Sequence, residues 1–316
     1  MHVRRSLFSA VAAGALLLAA GCAGDDLADD TSSSSSESPQ AGGAVTIGTQ
    51  NFDEAVLVAA MYEQVLADAG YDVTVKEVGR RDVYVNQMPD QVDIAPEYVG
   101  GIADFMNTKA NGADAEPITT SDTAETVDAV TPLLDEAGLT LLEPSEATSQ
   151  NAFFVTQDFA ESEDVAALSD LEGRSMVLAA AEDCPGRSDC EAGLTDTYGI
   201  DITEVLPLGF ASPQTFQAVL DGEADLGQTG TLDGTLDDQG LVLLEDDRGI
   251  QPAQNLVPMV STAFLQEHPD VEERLDELMA ALDNETLGEL IARVTVDREQ
   301  ADDVAQEWLQ EQGLIS

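Results

Sequence analysis

Downstream of about residue 45, short runs of consecutive apolar residues alternate with longer stretches whose apolar positions recur every three or four residues. Residues 45–48 predict a short strand, and 53–69 predict a helix with Val56, Leu57, Ala60, Met61 and Leu66 on one face. Gly70 stops that helix and 71–78 resume as a strand, giving a strand-helix-strand unit. A second helix is expected within 82–89 and a strand at 92–95. Pro96-Glu97-Tyr98-Val99-Gly100 reads as a loop. A helix at 123–137 follows, then strands at 139–142 and 151–156 around a polar turn, where the chain first crosses between domains. Beyond it come a helical turn at 168–171, a strand at 175–179, a helix ending at 195–199 and a strand at 204–208. A helix at 212–222 and strands at 224–229 and 241–244 complete this part, and the return crossing is expected within 252–260. Three helices close the chain at 271–282, 284–295 and 299–312. Leu275, Leu278, Met279 and Leu282, then Leu287, Leu290 and Ile291, form their apolar faces.

Alternating strands and helices with two crossings imply two α/β lobes. Gln91-Val92-Asp93-Ile94 and Glu223-Ala224-Asp225-Leu226 hold corresponding places in the two halves. Internal symmetry would explain this, and so would coincidence in an acid-rich chain.

The N-terminal pattern is different in kind. His2, Arg4 and Arg5 precede an apolar run over 10–20 that is shorter than the roughly 20 residues a membrane span needs, the layout of a cleaved signal at 1–21. The run ends in Leu18-Ala19-Ala20-Gly21-Cys22, which resembles the lipobox of prokaryotic lipoproteins. That resemblance implies a lipidated Cys22, with acyl chains of the palmitate kind. Each buried CH₂ contributes about 0.8 kcal/mol, so several chains give stable anchoring to the outer face of the cell membrane. Residues 22–44 read as a tether, with five acidic side chains between 23 and 43 and serines from 32 to 36. Such a segment has almost nothing apolar to bury.

The chain has 62 acidic and 12 basic residues, a formal charge of -50; loss of Arg4 and Arg5 with the signal leaves -52. Such a charge is best tolerated where salt screens it, as the Debye length falls from about 10 Å at 0.1 M to about 3 Å at 1 M. A halophilic setting is therefore expected, or an acidic proteome in a salt-tolerant host. Nucleic acid is a poor partner, because binding it requires Lys and Arg to neutralise phosphates.

Ile47-Gly48-Thr49-Gln50-Asn51-Phe52-Asp53-Glu54 and Val92-Asp93-Ile94-Ala95-Pro96-Glu97-Tyr98-Val99-Gly100 resemble the first lobe of substrate-binding proteins of glycine betaine, choline and carnitine ABC transporters. Asn151-Ala152-Phe153-Phe154, Leu168-Ser169-Asp170-Leu171, Arg187, Tyr198-Gly199 and Thr231-Leu232-Asp233-Gly234 continue the resemblance in order. It implies a two-lobed, type II periplasmic-binding-protein-like fold with a central cleft: lobe 1 at 45–147 and 256–316, lobe 2 at 148–255. It also implies capture of an osmoprotectant, glycine betaine or another quaternary ammonium solute, by a monomer that delivers it to an ABC permease. The alternatives are another polar solute, such as ectoine or an amino acid, and a surface lipoprotein with no transport role.

Aromatic rings attract the cation in such a cleft and Arg holds a carboxylate. Tyr98 is the first wall candidate, or a tyrosine packed at a strand end. Tyr84 adds a wall or caps its lobe. Family members often carry an aromatic near Gln254, where this chain has none, so the cage is either incomplete or supplied by Phe153 or Phe210. Arg187 offers a fork to a carboxylate or forms a surface ion pair. Arg80 and Arg81 line the cleft, pair with neighbouring carboxylates or meet the permease. Asn51, with Gln50 and Glu54, sits at a strand-to-helix turn within reach of a ligand, or caps the helix. Thr231 and Asp233 are the polar candidates of lobe 2, with helix capping the other reading of Asp233. Cys184 and Cys190, outside the cytoplasm, can close a local disulfide that directs Arg187. No histidine lies near them, which argues against zinc. Apart from His2 the chain has only His268, with no nucleophile-base spacing around it, so neither catalysis nor a cofactor is expected.

Overall fold

A computed structural model describes residues 42–112 and 115–316. The expected signal, Cys22 and the tether up to residue 41 lie outside the described residues. The first lobe opens with β1 (Gly43–Gln50), α1 (Asp53–Asp68), β2 (Tyr71–Val78), α2 (Arg81–Val85), β3 (Ile94–Tyr98), α3 (Val99–Asn111), α4 (Thr123–Ala137) and β4 (Leu139–Leu141). The second comprises β5 (Asn151–Thr156), α5 (Gln157–Glu163), β6 (Ser175–Ala180), α6 (Glu191–Asp196), β7 (Asp201–Pro207), α7 (Pro213–Leu220), β8 (Leu226–Gly230) and β9 (Leu241–Leu244). The chain then returns to the first lobe through β10 (Leu256–Ser261), α8 (Thr262–Glu267), α9 (Asp270–Ala280), α10 (Asn284–Thr295) and α11 (Ala301–Gln312).

Each lobe has one five-stranded sheet, ordered β2-β1-β3-β10-β4 in the first and β7-β6-β8-β5-β9 in the second. The two orders are equivalent. In each, the strand entered directly after a crossing, β10 or β5, runs antiparallel to its two neighbours. The crossings lie side by side, with Thr148 bridging Asn255 and the Ser149 N–H donating to the Gln254 carbonyl at 3.0 Å. The architecture is the two-lobed, type II periplasmic-binding-protein arrangement.

Symmetry reaches individual atoms. The Thr46 N–H donates to Asp93 Oδ2 at 2.8 Å while the Asp93 N–H donates to the Thr46 carbonyl at 2.9 Å. Val177 and Asp225 repeat the same pair at the same two distances. The two acidic tetrapeptides therefore do one job, pinning β3 to β1 and β8 to β6. Coincidence of composition does not account for that.

Lobe 1 buries both faces of its sheet. On one, Leu57, Val58, Met61, Val65 and Leu66 of α1 pack with Leu275, Leu278, Leu287 and Trp308 from the C-terminal helices. On the other, Tyr84, Ile102, Met106, Val130 and Leu134 form a second core. Full burial of each such side chain stabilises by about 1.5–3 kcal/mol relative to exposure. Periodicity anticipated the C-terminal helices for this reason, and Asp283 caps α10 by accepting from the Thr286 N–H at 2.8 Å.

Three differences from the expected elements have physical causes. The loop expected at 96–100 is instead the end of β3, through Tyr98, followed directly by a thirteen-residue helix from Val99. Val99, Ile102, Ala103 and Met106 recur at helical spacing and are buried, but Gly100 and Gly101 weaken the local signal. Both glycines answer close approaches: a Cβ on Gly100 would lie 2.5 Å from the Ala253 carbonyl oxygen, and one on Gly101 would lie 2.6 Å from an Arg81 guanidinium nitrogen. A helix absent from the expected elements, α5, follows β5 and is capped by Thr156 accepting from the Phe159 N–H at 3.2 Å. Finally, β1 starts at Gly43, two residues inside the expected tether, because it pairs with β2 from Tyr71 onward.

Candidate functional site

In both sheets the parallel strands end at the gap between the lobes, where α/β proteins bind ligands. A cavity of about 580 Å³ lies there. Its floor comes from the paired crossings, with Gln150 and Asn151 from the first and Gln251, Pro252 and Gln254 from the second. Lobe 2 adds Asp189, Phe210, Phe216, Thr229, Thr231 and Asp233, and lobe 1 adds Glu54 from the first turn of α1.

Aromatic rings mark both sides of the gap. Phe210 is 48% exposed, on a turn in which Gly209 and Ala211 take φ of +108° and +46°. These left-handed conformations are unusual for Ala and ordinary for Gly. Across the gap, Phe52 is 42% exposed at the N-cap of α1. Phe52 and the partly buried Tyr98, which also packs against the lobe 1 core, line a small pocket of about 10 Å³ with Gln50, Pro96 and Glu97.

Of the residues singled out from the sequence, Phe210, Thr231 and Asp233 meet at the main cavity, and Tyr98 faces the lobe 1 pocket beside it. The others lie elsewhere. Tyr84 is buried and its hydroxyl donates to Glu97, so its ring belongs to the lobe 1 core. Phe153 is likewise buried in the core of lobe 2. Arg80 is exposed and engaged with Asp82. Asn51 is exposed, and the N-cap position of α1 falls on Phe52 instead.

Arg187 is the instructive displacement. Cys184 and Cys190 are joined by a disulfide, and the loop between them folds back so that the Arg187 carbonyl accepts N–H groups at the start of α6. The guanidinium forks onto Asp189 at 2.9 and 2.6 Å and reaches Asp183 at 3.0 Å. Asp189, not Arg187, lines the cavity. It accepts from Asn151 Nδ2 at 3.0 Å, and its carbonyl accepts from Gln251 Nε2 at 2.8 Å. Sequence reasoning also passed over Phe52, Asn151 and Gln251 as site residues. The neighbourhood of Asp189 to Arg187 inside one short loop was a usable signal, whereas Gln251 carried none.

The carboxylates differ in electrostatic state. Hydrogen bonding to Arg187 holds Asp189 below the ordinary carboxylate range. Burial pushes Glu54 up to about 7, outweighing the favourable field of the α1 N-terminus. Glu97 is also pushed up by burial, while Arg81, at 2.9 and 3.1 Å, and Tyr84 pull it back.

A family model described as the substrate binding domain of ABC-type glycine betaine transport system matches residues 43–311. The glycine-betaine-binding protein of Pseudomonas aeruginosa is 27% identical over 281 residues, 85% of this chain and 88% of that protein. The glycine betaine-binding protein YehZ of Escherichia coli is 27% identical over 289 residues, 87% and 92% of the two chains. The apo structure of YehZ from E. coli superposes with a TM-score of 0.74 at 26% identity, covering 86% of this chain and all but 1% of that one (99%). A crystal structure of a glycine betaine/carnitine/choline ABC transporter shares the fold, with a TM-score of 0.72 at 17% identity over 86% of this chain and 100% of that one.

Proposed function

Since the chain belongs to the family of substrate-binding domains of ABC-type glycine betaine transport systems, we propose that it captures a quaternary ammonium osmoprotectant outside the cytoplasm and hands it to an ABC permease. The observation that carries this reading is the pair of exposed rings, Phe52 and Phe210, on opposite lobes beside an acid-lined cavity. Closing the lobes sets Phe52 and Tyr98 on one side of the cation and Phe210 on the other. Each ring face in a desolvated site contributes about 0.5–2 kcal/mol to holding a cation. Thr231 and Asp233 frame the polar end, while Tyr84 and Arg187 act from behind by fixing Glu97 and Asp189.

Calorimetry of the full chain at high salt tests this against glycine betaine, choline, carnitine, ectoine and proline. Binding of a quaternary amine, weakened about tenfold by Phe210→Ala and by Tyr98→Ala, is expected from the loss of one ring face. If ectoine or proline binds and no quaternary amine does, the solute class is wrong. Silence toward all five would point to a surface role without transport.

Anchoring through Cys22 keeps a monomeric trap beside its permease, and the acidic tether provides reach. Cys22→Ala should release the chain into the medium; retention at the membrane would contradict the anchor. The charge of -50 suits a salt-rich habitat.

A further inference from the structure

Most side-chain donors around the cavity are already committed, the Ser149 hydroxyl and Gln254 Nε2 being the ones that donate to nothing among the described residues. The hydroxyls of Thr229 and Thr235 donate to Asp233 at 2.6 Å each, and that of Thr231 donates to the Thr148 carbonyl. The amide of Asn151 donates to Asp189 and that of Gln150 to the Pro252 carbonyl at 2.7 Å. The fork of Arg187 is occupied by protein carboxylates, and so is that of Arg81 in lobe 1.

Two acceptors are in the opposite state, although Asp189 and Asp233 have their donors. Glu54 Oε1 and Gln251 Oε1 are buried and have no partner among the described residues. Gln251 is only 3% exposed and lines the cavity, and its Nε2 is committed to the Asp189 carbonyl, which fixes the position of its free oxygen. A buried acceptor without a donor is costly, which makes it a strong preference for a ligand that brings one. Glu54 and Asp233 are in no ion pair among the described residues, while Asp189 is balanced by Arg187. A solute carboxylate entering this cavity would find the Ser149 hydroxyl and the Gln254 amide as donors but would meet the unbalanced acids Glu54 and Asp233.

We infer that Glu54 and Gln251 select a cation that carries its own hydrogen-bond donor and lacks a carboxylate, an ammonium alcohol rather than a betaine. The inference rests on the solute-capture reading above and narrows it. Glu54 balances the ammonium charge, and Gln251 Oε1 accepts from the hydroxyl. The cost of burying the Glu54 charge, which raises its pKa, is offset by the charge of the arriving cation.

Calorimetric titrations of the full chain and of Glu54→Gln with choline, glycine betaine and tetramethylammonium separate the possibilities, with thermal melts confirming that the variant folds. Choline should bind at least tenfold more tightly than glycine betaine and more tightly than tetramethylammonium, which lacks the donor. Glu54→Gln should remove most of the preference over betaine. Glycine betaine binding as tightly as choline would overturn this inference and leave solute capture standing. A choline preference that survives Glu54→Gln would overturn the role given to Glu54, and equal binding of choline and tetramethylammonium would overturn that of Gln251. Failure of all three ligands to bind would overturn solute capture itself, and the inference with it.

Discussion

The two lobes share a sheet order and a hydrogen-bond pair, yet they treat their arginines in opposite ways. In lobe 1, Arg81 is 25% exposed and holds the buried Glu97 together with Tyr84, inside a core. In lobe 2, Arg187 is 37% exposed and holds Asp189 at the edge of the cavity, on a loop closed by the disulfide. One pair supports a sheet, and the other orients a cavity wall. The contrast shows that an arginine in a cleft-edge loop is not a carboxylate receptor merely because its loop resembles one. In a chain with 62 acids and 12 bases, a protein carboxylate occupies the fork first.

Arg81→Ala should break the comparison most severely. It leaves Glu97 buried without its cation, and breaking a buried pair on one side costs about 3–5 kcal/mol, to be read as a lower urea midpoint. A loss below about 1 kcal/mol would mean that Glu97 is protonated and satisfied by Tyr84 alone. Next is the disulfide. Replacing Cys184 and Cys190 together by Ser should cost about 2 kcal/mol, since the closed loop is short, and should loosen Asp189.

Acidity sharpens the contrast between Glu54, with no counter-charge among the described residues, and Asp189, which has one. Glu54 is raised to about 7, so below that pH it is mostly protonated and a cationic solute must displace the proton. Choline affinity should therefore rise roughly tenfold from pH 6 to pH 8 and level off above. Asp189 is lowered and stays ionised across that window. Asp233, in the same cavity, and Asp53, beside Glu54 on α1, are the other acids to control for. Affinity that stays flat with pH would show that Glu54 does not face the charge. The smallest effect is expected from Arg187→Ala, under about 1 kcal/mol of stability because the pair is partly exposed. A loss as large as that of Arg81→Ala would erase the distinction between the two centres.

Much of this was legible in the linear pattern. The C-terminal helices, with Leu275, Leu278 and Leu287, bury one face each, and such faces write themselves into the sequence as a period. Asp93 and Asp225 were recognisable as a matched pair because each precedes a strand in the same context. The helix α3 was hidden by Gly100 and Gly101, whose reason is a carbonyl of residue 253 and a guanidinium of residue 81, neither of them local. Tyr84 and Tyr98 looked alike as aromatic candidates, but only packing buried the first inside the core and left the second, at the end of β3, packed against a core on one side and lining a small pocket on the other.

The sequence by itself determined most of the elements, though not α3 or α5, and it determined the two-lobed order and the family, because these follow from periodicity and from motifs read in order along the chain. It also determined that acids vastly outnumber bases. Which acid each arginine would hold, and which two acceptors would be left without a donor, was decided only by tertiary structure. Those outcomes depend on distances of a few ångströms between residues far apart in the chain, such as Asp189 and Gln251 or Arg81 and Glu97. Over such distances burial and hydrogen bonding, rather than residue type, set what a side chain has left to offer a ligand.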